Sequence, residues 1–112
     1  MVFHLTSAEE WAASQAAGRH VAASLAAEGF VHLSTRDQLL GSADRHFAGR
    51  GEVLVLHVDP ARLTVPLRWE APGPGRPAYP HAYGPLDLDA VVGTSVLREG
   101  PGGYRAAGDL PG

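Results

Sequence analysis

The chain has 112 residues, a net charge of −3 and no cysteine, and these properties exclude several kinds of protein. A chain of this length forms one domain over residues 1–112, and without cysteine it has no disulfide, no thiolate zinc site and no cysteine nucleophile. The acidic balance argues against general nucleic-acid binding. All nine basic residues are arginine, which excludes lysine Schiff-base chemistry.

The first half of the chain predicts strands that alternate with helices. Ser7–Glu10 and Thr35–Gln38 both fit the capping-box pattern that begins a helix. Alternation of apolar and polar residues marks the strands. The predicted elements are a strand at 2–6, a helix from 8 to about Gly18, a short helix or ordered loop over 19–28, a strand at 30–34 and a helix that ends at Gly49.

The second half of the chain predicts mainly strands. The apolar run Val53–Val58 is typical of a central strand buried on both faces, and Pro66 favours an edge position for the predicted strand that contains it. The further elements are one helical turn at 61–63, a strand at 65–70, loops over 71–80 and 80–85, a strand at 88–98 broken near Gly93 and a poorly ordered tail over 100–112. This order predicts an α+β fold, with a small mixed or antiparallel sheet and two to three helices.

No targeting or membrane segment is visible in the sequence. The apolar runs are shorter than the ~20 residues that span a bilayer, and the first residues lack the basic and apolar regions of a secretion signal. We therefore expect a cytoplasmic protein without membrane contact. No feature of the sequence indicates an oligomeric state.

Three pairs of polar residues each lie on one face of a predicted strand, because residues two apart in a strand point the same way. The pairs are His4 with Thr6, His32 with Ser34, and Arg68 with Glu70. If the strands share a sheet, the pairs form a polar wall. Taken singly, each pair is more typical of a strand face that contacts solvent.

A second histidine block, Pro80–Pro85, carries His81 and Tyr83 in a segment that its proline and glycine residues predict to be a rigid loop. A histidine exchanges protons near neutral pH, and a tyrosine can stack on a ring or form a hydrogen bond with it. We predict that this loop and the 30–34 strand line one site. Acid–base partners must reach one small substrate, so the rings of His32 and His81 should lie within about 10 Å of each other. The alternative is a turn whose tyrosine packs as an edge aromatic.

Two further residues are candidates for the same site. Glu70 follows Trp69, and an indole beside the carboxylate would raise its pKa toward acid–base use; the alternative is a solvated glutamate. Gln38 is a helix cap and a candidate for binding substrate. The six histidines lack any spacing typical of metal ligands, so we expect no metal site.

Several motifs spread over the chain are recognisable together. They are the Phe-His-Leu-Thr strand with Trp11, the block Glu28–Ser34, Gln38, Trp69 with Glu70, and Pro80–Pro85. From His4 to about Val96 the chain resembles the domain-of-unknown-function 952 family. More distantly it is similar to the ADP-ribosyltransferase-like fold, including the tRNA 2′-phosphotransferases, which carry a histidine in the first strand and a His-x-Ser-type strand.

The distant resemblance implies a chemistry. In that superfamily a cleft between two small sheets binds NAD, and an acidic residue stabilises an oxocarbenium-like transition state. The resemblance implies that His4 lies at the ribose or pyrophosphate, that His32 and Ser34 line the cleft, and that Glu70 is the acidic residue. A set of phosphate-binding arginines, which such enzymes use, is not evident in this sequence.

Three functions are therefore open. The first is a transferase of ADP-ribosyl or phosphoryl groups that acts on NAD or a nucleotide-like small molecule. Its catalytic residues would be His32, His81 and Glu70, and its substrate-binding residues His4, Ser34, Gln38, Arg68 and Tyr83. The second is a cyclase or isomerase of specialised metabolism that uses two histidines as acid and base. The third is a non-catalytic module that binds a small ligand, and fold resemblance alone cannot choose among them.

Overall fold

The computed structural model describes residues 1–108 and 110–111, which form an α+β fold of antiparallel sheets with three α-helices. The strands are β1 (Val2–Thr6), β2 (Arg19–His20), β3 (Val31–His32), β4 (Glu52–Val58), β5 (Leu67–Glu70), β6 (Tyr79–Ala82), β7 (Leu86–Asp87), β8 (Val91–Gly100) and β9 (Gly103–Ala106). The helices are α1 (Ala8–Ala17), α2 (Ala23–Glu28) and α3 (Arg36–His46), with single 3-10 turns at Pro60–Arg62 and Leu88–Ala90. In the part of the chain described, no helix is long and apolar enough to cross a membrane.

The largest sheet has the strand order β1-β4-β8-β9, and the apolar strand β4 lies inside it, as predicted. Successive residues of a strand point to opposite faces, so β4 contributes to two hydrophobic cores. Val53 and Val55 pack with Phe3 and helix α3, while Leu56 and Val58 pack with the segment that contains β3. Each such side chain, when fully buried, stabilises the fold by about 1.5–3 kcal/mol.

The smaller sheet has the order β3-β6-β5, and its middle strand corrects the sequence prediction. Residues 80–85 were expected to form a loop, but Tyr79–Ala82 is strand β6. Proline is tolerated here because the carbonyl of Pro80 accepts a hydrogen bond from the N–H of Leu33 at 3.0 Å. The nitrogen of Pro80, which has no hydrogen to donate, faces the same side as this carbonyl, toward the residue just after β3. It does not face β5, so the pairing of Pro80 with Trp69 is not interrupted. Strand β5 lies at the edge, as predicted.

Two backbone hydrogen bonds join the large sheet to the small one. Phe3 of β1 and Ser34 exchange N–H to carbonyl bonds, both 2.8 Å long. The predicted strand at 30–34 is thus shorter than expected, since only Val31–His32 pairs as a strand and the chain then crosses to β1. This crossing places β3 directly beside the first strand.

The capping boxes begin both predicted helices. At α3 the box is complete, because Thr35 Oγ1 accepts from Gln38 N–H and Gln38 Oε1 accepts from Thr35 N–H. At α1 it is half formed: Ser7 Oγ accepts from Glu10 N–H, while the Glu10 carboxylate accepts from Thr6 Oγ1 at 2.7 Å instead. The alanine-rich stretch that follows α1 contains strand β2, which pairs with β7, and helix α2.

The end of the chain differs from the prediction of a poorly ordered tail, because Gly103–Ala106 form strand β9. Tyr104 is buried, its N–H donates to Asp44 Oδ1 at 2.7 Å and its hydroxyl donates to the carbonyl of Phe47 at 2.6 Å. These bonds hold β9 against α3. Asp109 and Gly112 of the predicted tail lie outside the described residues.

We predict that Gly103→Ala lowers the free energy of unfolding by about 1–3 kcal/mol. The φ of Gly103 is +110°, and an added Cβ would lie 2.8 Å from the Asp44 oxygen that anchors Tyr104. Chemical denaturation measures the change. The control is Gly108→Ala, where an added Cβ has nothing within 4 Å, so its effect should stay within about 0.5 kcal/mol. Equal stability of both variants would show that β9 is not anchored through Asp44.

Candidate functional site

One face of the small sheet is lined by polar side chains. His32 of β3, His81 of β6 and Arg68 of β5 lie directly opposite one another across the three strands. Side chains of directly opposed residues point to the same face, so the three form a row. Tyr79, next to this row, lies opposite Glu70. Of the three predicted polar pairs, Arg68 with Glu70 lies wholly in this sheet. The second pair contributes only His32, because Ser34 lies beyond β3 and bridges to Phe3 of the large sheet.

Glu70 is the centre of a hydrogen-bonded group that we call the Glu70 cluster (Glu70, His81 and Tyr83). One carboxylate oxygen, Oε1, accepts both from His81 Nδ1 at 2.9 Å and from the Tyr83 hydroxyl at 2.5 Å. A carboxylate only accepts, so Nδ1 of His81 carries the hydrogen and its Nε2 has a free lone pair when the ring is neutral. No group in the described residues bonds to the second oxygen of Glu70, Oε2.

The pKa of the Glu70 carboxylate is lowered, in contrast to the sequence prediction. The hydrogen bond from Tyr83 and then that from His81 lower the pKa of Glu70, whereas the sequence predicted a raised pKa beside Trp69. The indole has no such effect because adjacent residues of a strand point to opposite faces, and Trp69 is exposed on the other one. The bond to Glu70 also raises the pKa of Tyr83. At neutral pH the cluster therefore holds a carboxylate and a neutral phenol.

The two histidine blocks meet at an aromatic contact. The ring of Phe30 stacks on His81 with centroids 4.1 Å apart and meets His32 edge-on at 4.9 Å. The centroids of His32 and His81 are 5.3 Å apart, which confirms the predicted separation of less than 10 Å. His32 has its own carboxylate partner, since its Nε2 lies 2.8 Å from Glu28 Oε2. Each histidine is thus held by a different glutamate.

His4 borders the same cleft from the large sheet. Its Nδ1 donates to the carbonyl of His32 at 2.8 Å, so its Nε2 carries the lone pair. Burial, and then the neighbouring His20, lower the pKa of His4 to about 4. His20 is fully buried behind it, with its ring centroid 4.8 Å away and its Nδ1 2.7 Å from Ser14 Oγ. His4 is therefore a neutral polar group at the floor of the cleft.

The cleft between the two sheets has a volume of about 910 Å³, near the upper end of the range of about 300–1,000 Å³ for small-molecule sites. Besides the histidines and Glu70, four basic side chains line it that the sequence did not suggest: Arg45, His46, Arg50 and Arg76. They come from the end of α3 and from the loops after α3 and before β6. No local motif links these segments, so only the fold brings the side chains together.

The remaining predicted site residues lie at the edge of the cleft or outside it. Ser34 borders the cleft but is buried, and its hydroxyl lies 2.8 Å from that of Ser42. Arg68 lies outside the lining, with its guanidinium 5.0 Å from the centre of the Tyr83 ring. Gln38 is also outside, because its amide completes the capping box and donates to the carbonyl of Ala78 at 2.8 Å. Thr6 is bonded to Glu10. Within the described ranges no three histidine or carboxylate side chains come together to hold a metal ion.

We predict that the fold loses stability as the pH falls from about 6.5 to about 4, and that His4→Gln reduces this loss. The unfolded chain binds a proton at His4 near pH 6.5, whereas the folded chain binds it only near pH 4, so acid favours unfolding by up to about 3 kcal/mol at this residue. Burial also lowers the pKa of His20 and His57 in the same direction. Urea unfolding at a series of pH values measures the slope. His46→Gln, in an exposed histidine of α3, is the control. A wild-type slope in His4→Gln would contradict the buried, neutral state of His4.

Comparison with known proteins identifies a family. The chain matches, over residues 5–94, the family described as "Protein of unknown function (DUF952)". It is similar to the crystal structure of protein CC0527 from Caulobacter crescentus, with 32% identity, a TM-score of 0.82, and coverage of 93% of this chain and 92% of that chain. The solution NMR structure of CC0527 gives 33% identity and a TM-score of 0.75, with coverage of 92% and 89%. The comparison with curated proteins gives no match. The chain therefore belongs to the DUF952 family.

Proposed function

We propose that this chain is an enzyme that acts on the ribose of NAD or of another nucleotide-like small molecule. The observation that carries the proposal is the Glu70 cluster, an ionised carboxylate held by two donors at an open cleft. One of its oxygens has no bond to the described residues and can accept from a ribose hydroxyl. The same carboxylate sits beside a histidine whose Nε2 is free to take a proton.

These groups suit transfer at the glycosidic carbon. The bond from that carbon to the base breaks, and its electron pair leaves with the base. The Glu70 carboxylate stabilises the positive charge that develops on the sugar, because the hydrogen bonds from His81 and Tyr83 already hold it in place. An acceptor hydroxyl forms the new C–O bond and gives its proton to His81 Nε2. His81 is only 13% exposed, which keeps the ring in one orientation.

An ADP-ribosyltransferase-like fold is part of this proposal. Its support is the placement of the cleft between two antiparallel sheets, with a first-strand histidine, His4, at its floor. The nitrogen of His4 that faces away from β3 is an acceptor at neutral pH. In this proposal it accepts a hydrogen bond from a ribose hydroxyl rather than binding a phosphate, because an uncharged imidazole with a lone pair does not attract an anion.

A second candidate function is an acid–base cyclase or isomerase, and the pair of histidines favours it. The rings of His32 and His81 are 5.3 Å apart, and a separate glutamate holds each of them. Two such groups can add a proton at one atom of a substrate and remove one at another. This chemistry needs no ribose, so it differs from the first proposal in the ligand that the cleft binds.

We predict that NAD or ADP-ribose raises the melting temperature, because a ligand at 100 times its Kd stabilises the fold by about 2.7 kcal/mol. The rate at which the base is released from NAD, measured by chromatography, should fall by a factor of about 10²–10⁴ in Glu70→Gln or His81→Asn, the range typical of one acid–base group.

Tyr83→Phe should raise the pKa of Glu70, since the hydrogen bond from the phenol is the largest cause of its lowered value. Carboxyl ¹³C NMR measures this pKa.

The matched control is Glu52→Gln, since Glu52 pairs with Arg98 on the surface outside the cleft. Its activity and melting temperature should equal those of the wild type, because exposed ion pairs contribute little. Binding without turnover, unchanged by His81→Asn, would mean that the chain is a binding module. The absence of a shift with any nucleotide would reject the ribose proposal and leave the cyclase or isomerase.

A further inference from the structure

We infer that the cleft carries a subsite for phosphate or pyrophosphate, formed by three arginines that we call the cationic wall (Arg45, Arg50 and Arg76). All three line the cleft. The inference deepens the proposed function, on which it rests for the nature of the ligand: it assigns to that ligand a phosphorylated end. Among the nucleotide-like molecules of the proposed function, it selects those that carry a phosphate or pyrophosphate, such as a nucleoside diphosphate.

The charges of the cationic wall are not neutralised by the protein in the part of the chain that is described. Arginine–carboxylate pairs within 4.0 Å occur there at Arg62 with Asp59 and at Arg98 with Glu52, both outside the cleft. None involves Arg45, Arg50 or Arg76. Guanidinium groups that line a cleft and have no carboxylate within 4.0 Å favour an anionic ligand beside them.

The acidic residues of the cleft are already bonded to other groups. Glu28 is held by His32, Glu10 by Thr6 and Glu70 by His81 and Tyr83. In the described residues none of these carboxylates lies within 4.0 Å of a guanidinium, since the arginine pairs there are Arg62 with Asp59 and Arg98 with Glu52. The cleft has two chemical regions, one with carboxylates that bind histidines or hydroxyls and one with free cations.

The cationic wall begins next to the Glu70 cluster. An Nη of Arg45 donates to the Tyr79 hydroxyl at 2.8 Å, and its guanidinium lies 5.7 Å from the centre of that ring. Tyr79 is directly opposite Glu70 in the pairing of β5 with β6, and Arg76 precedes Tyr79 by three residues. A ribose hydroxyl at Glu70 thus has cationic groups close by, as a sugar with an attached phosphate requires.

Aromatic rings orient two of the three guanidinium groups before any ligand arrives. Arg50 lies 5.0 Å from the centre of the Phe47 ring, and Arg45 is held at Tyr79 as described. A guanidinium fixed in this way loses less conformational entropy when it binds, and its planar donors match phosphate oxygens two at a time. Arg76 is exposed, and its side chain has no hydrogen bond to the described residues.

The test is isothermal titration calorimetry with inorganic pyrophosphate and with the series adenosine, AMP and ADP. We expect affinity to rise along the series and to fall with added salt. Arg76→Gln should weaken the binding of pyrophosphate and ADP about tenfold or more, as loss of a charge-assisted hydrogen bond does, without changing the melting temperature. Arg45→Gln should weaken the same binding, and Arg98→Gln, in an arginine outside the cleft, is the matched control.

The outcomes separate this inference from the proposed function. Pyrophosphate binding that is absent, or unchanged in both Arg76→Gln and Arg45→Gln, would overturn the subsite even if adenosine binds. Pyrophosphate binding that these variants lose supports the subsite, and it should survive in Glu70→Gln. If the arginine variants lose pyrophosphate binding, but no nucleoside phosphate binds the wild-type chain more tightly than pyrophosphate does, the ribose proposal fails and the phosphate subsite stands.

Discussion

The candidate site depends on the contact between the first strand and the segment after β3. Phe3 and Ser34 exchange two backbone hydrogen bonds, and the side chain of His4 bonds to the carbonyl of His32. These bonds hold two sheets together that otherwise have separate strand orders, and the space that remains between them is the cleft. Burial strengthens the contact, because a buried backbone group without a partner costs free energy. Phe3 is fully buried, so its N–H and carbonyl need the partners that Ser34 supplies.

The Glu70 cluster holds its side chains in fixed positions and leaves the Nε2 atom of His81 unbonded. A single oxygen of Glu70 accepts two hydrogen bonds, which fixes the tautomer of His81 and the position of the Tyr83 phenol together. Phe30 closes the other side of the His81 ring by stacking. The ring is thus held by one polar and one apolar contact, while its Nε2 stays unbonded. Removing any one of these partners should change the orientation of the imidazole, so the cluster acts as one unit.

Much of the scaffold could be predicted from the sequence, since its signals are local. The capping box Thr35–Gln38 and the apolar run Val53–Val58 predicted α3 and β4 because each needs only its own residues. The strand around Pro80 was mistaken for a loop, since whether a missing N–H matters depends on which neighbour it faces. The proximity of the two histidine blocks was predicted. The cationic wall was not, because Arg45 and Arg76 lie on segments that meet only through long-range contacts.

The side chain of Gln38 links the width of the cleft to the first turn of helix α3. Its side chain closes the capping box of α3 and also donates to the carbonyl of Ala78, in the loop that carries Arg76 and leads to Tyr79. The start of the helix and one wall of the cleft are therefore tied to the same amide. If this loop swings outward, the tether to Ala78 breaks and the amide that completes the cap loses one of its two anchors. Widening of the cleft and fraying of the first turn of α3 are then coupled motions, and a bound ligand that holds the loop in place would also steady the helix.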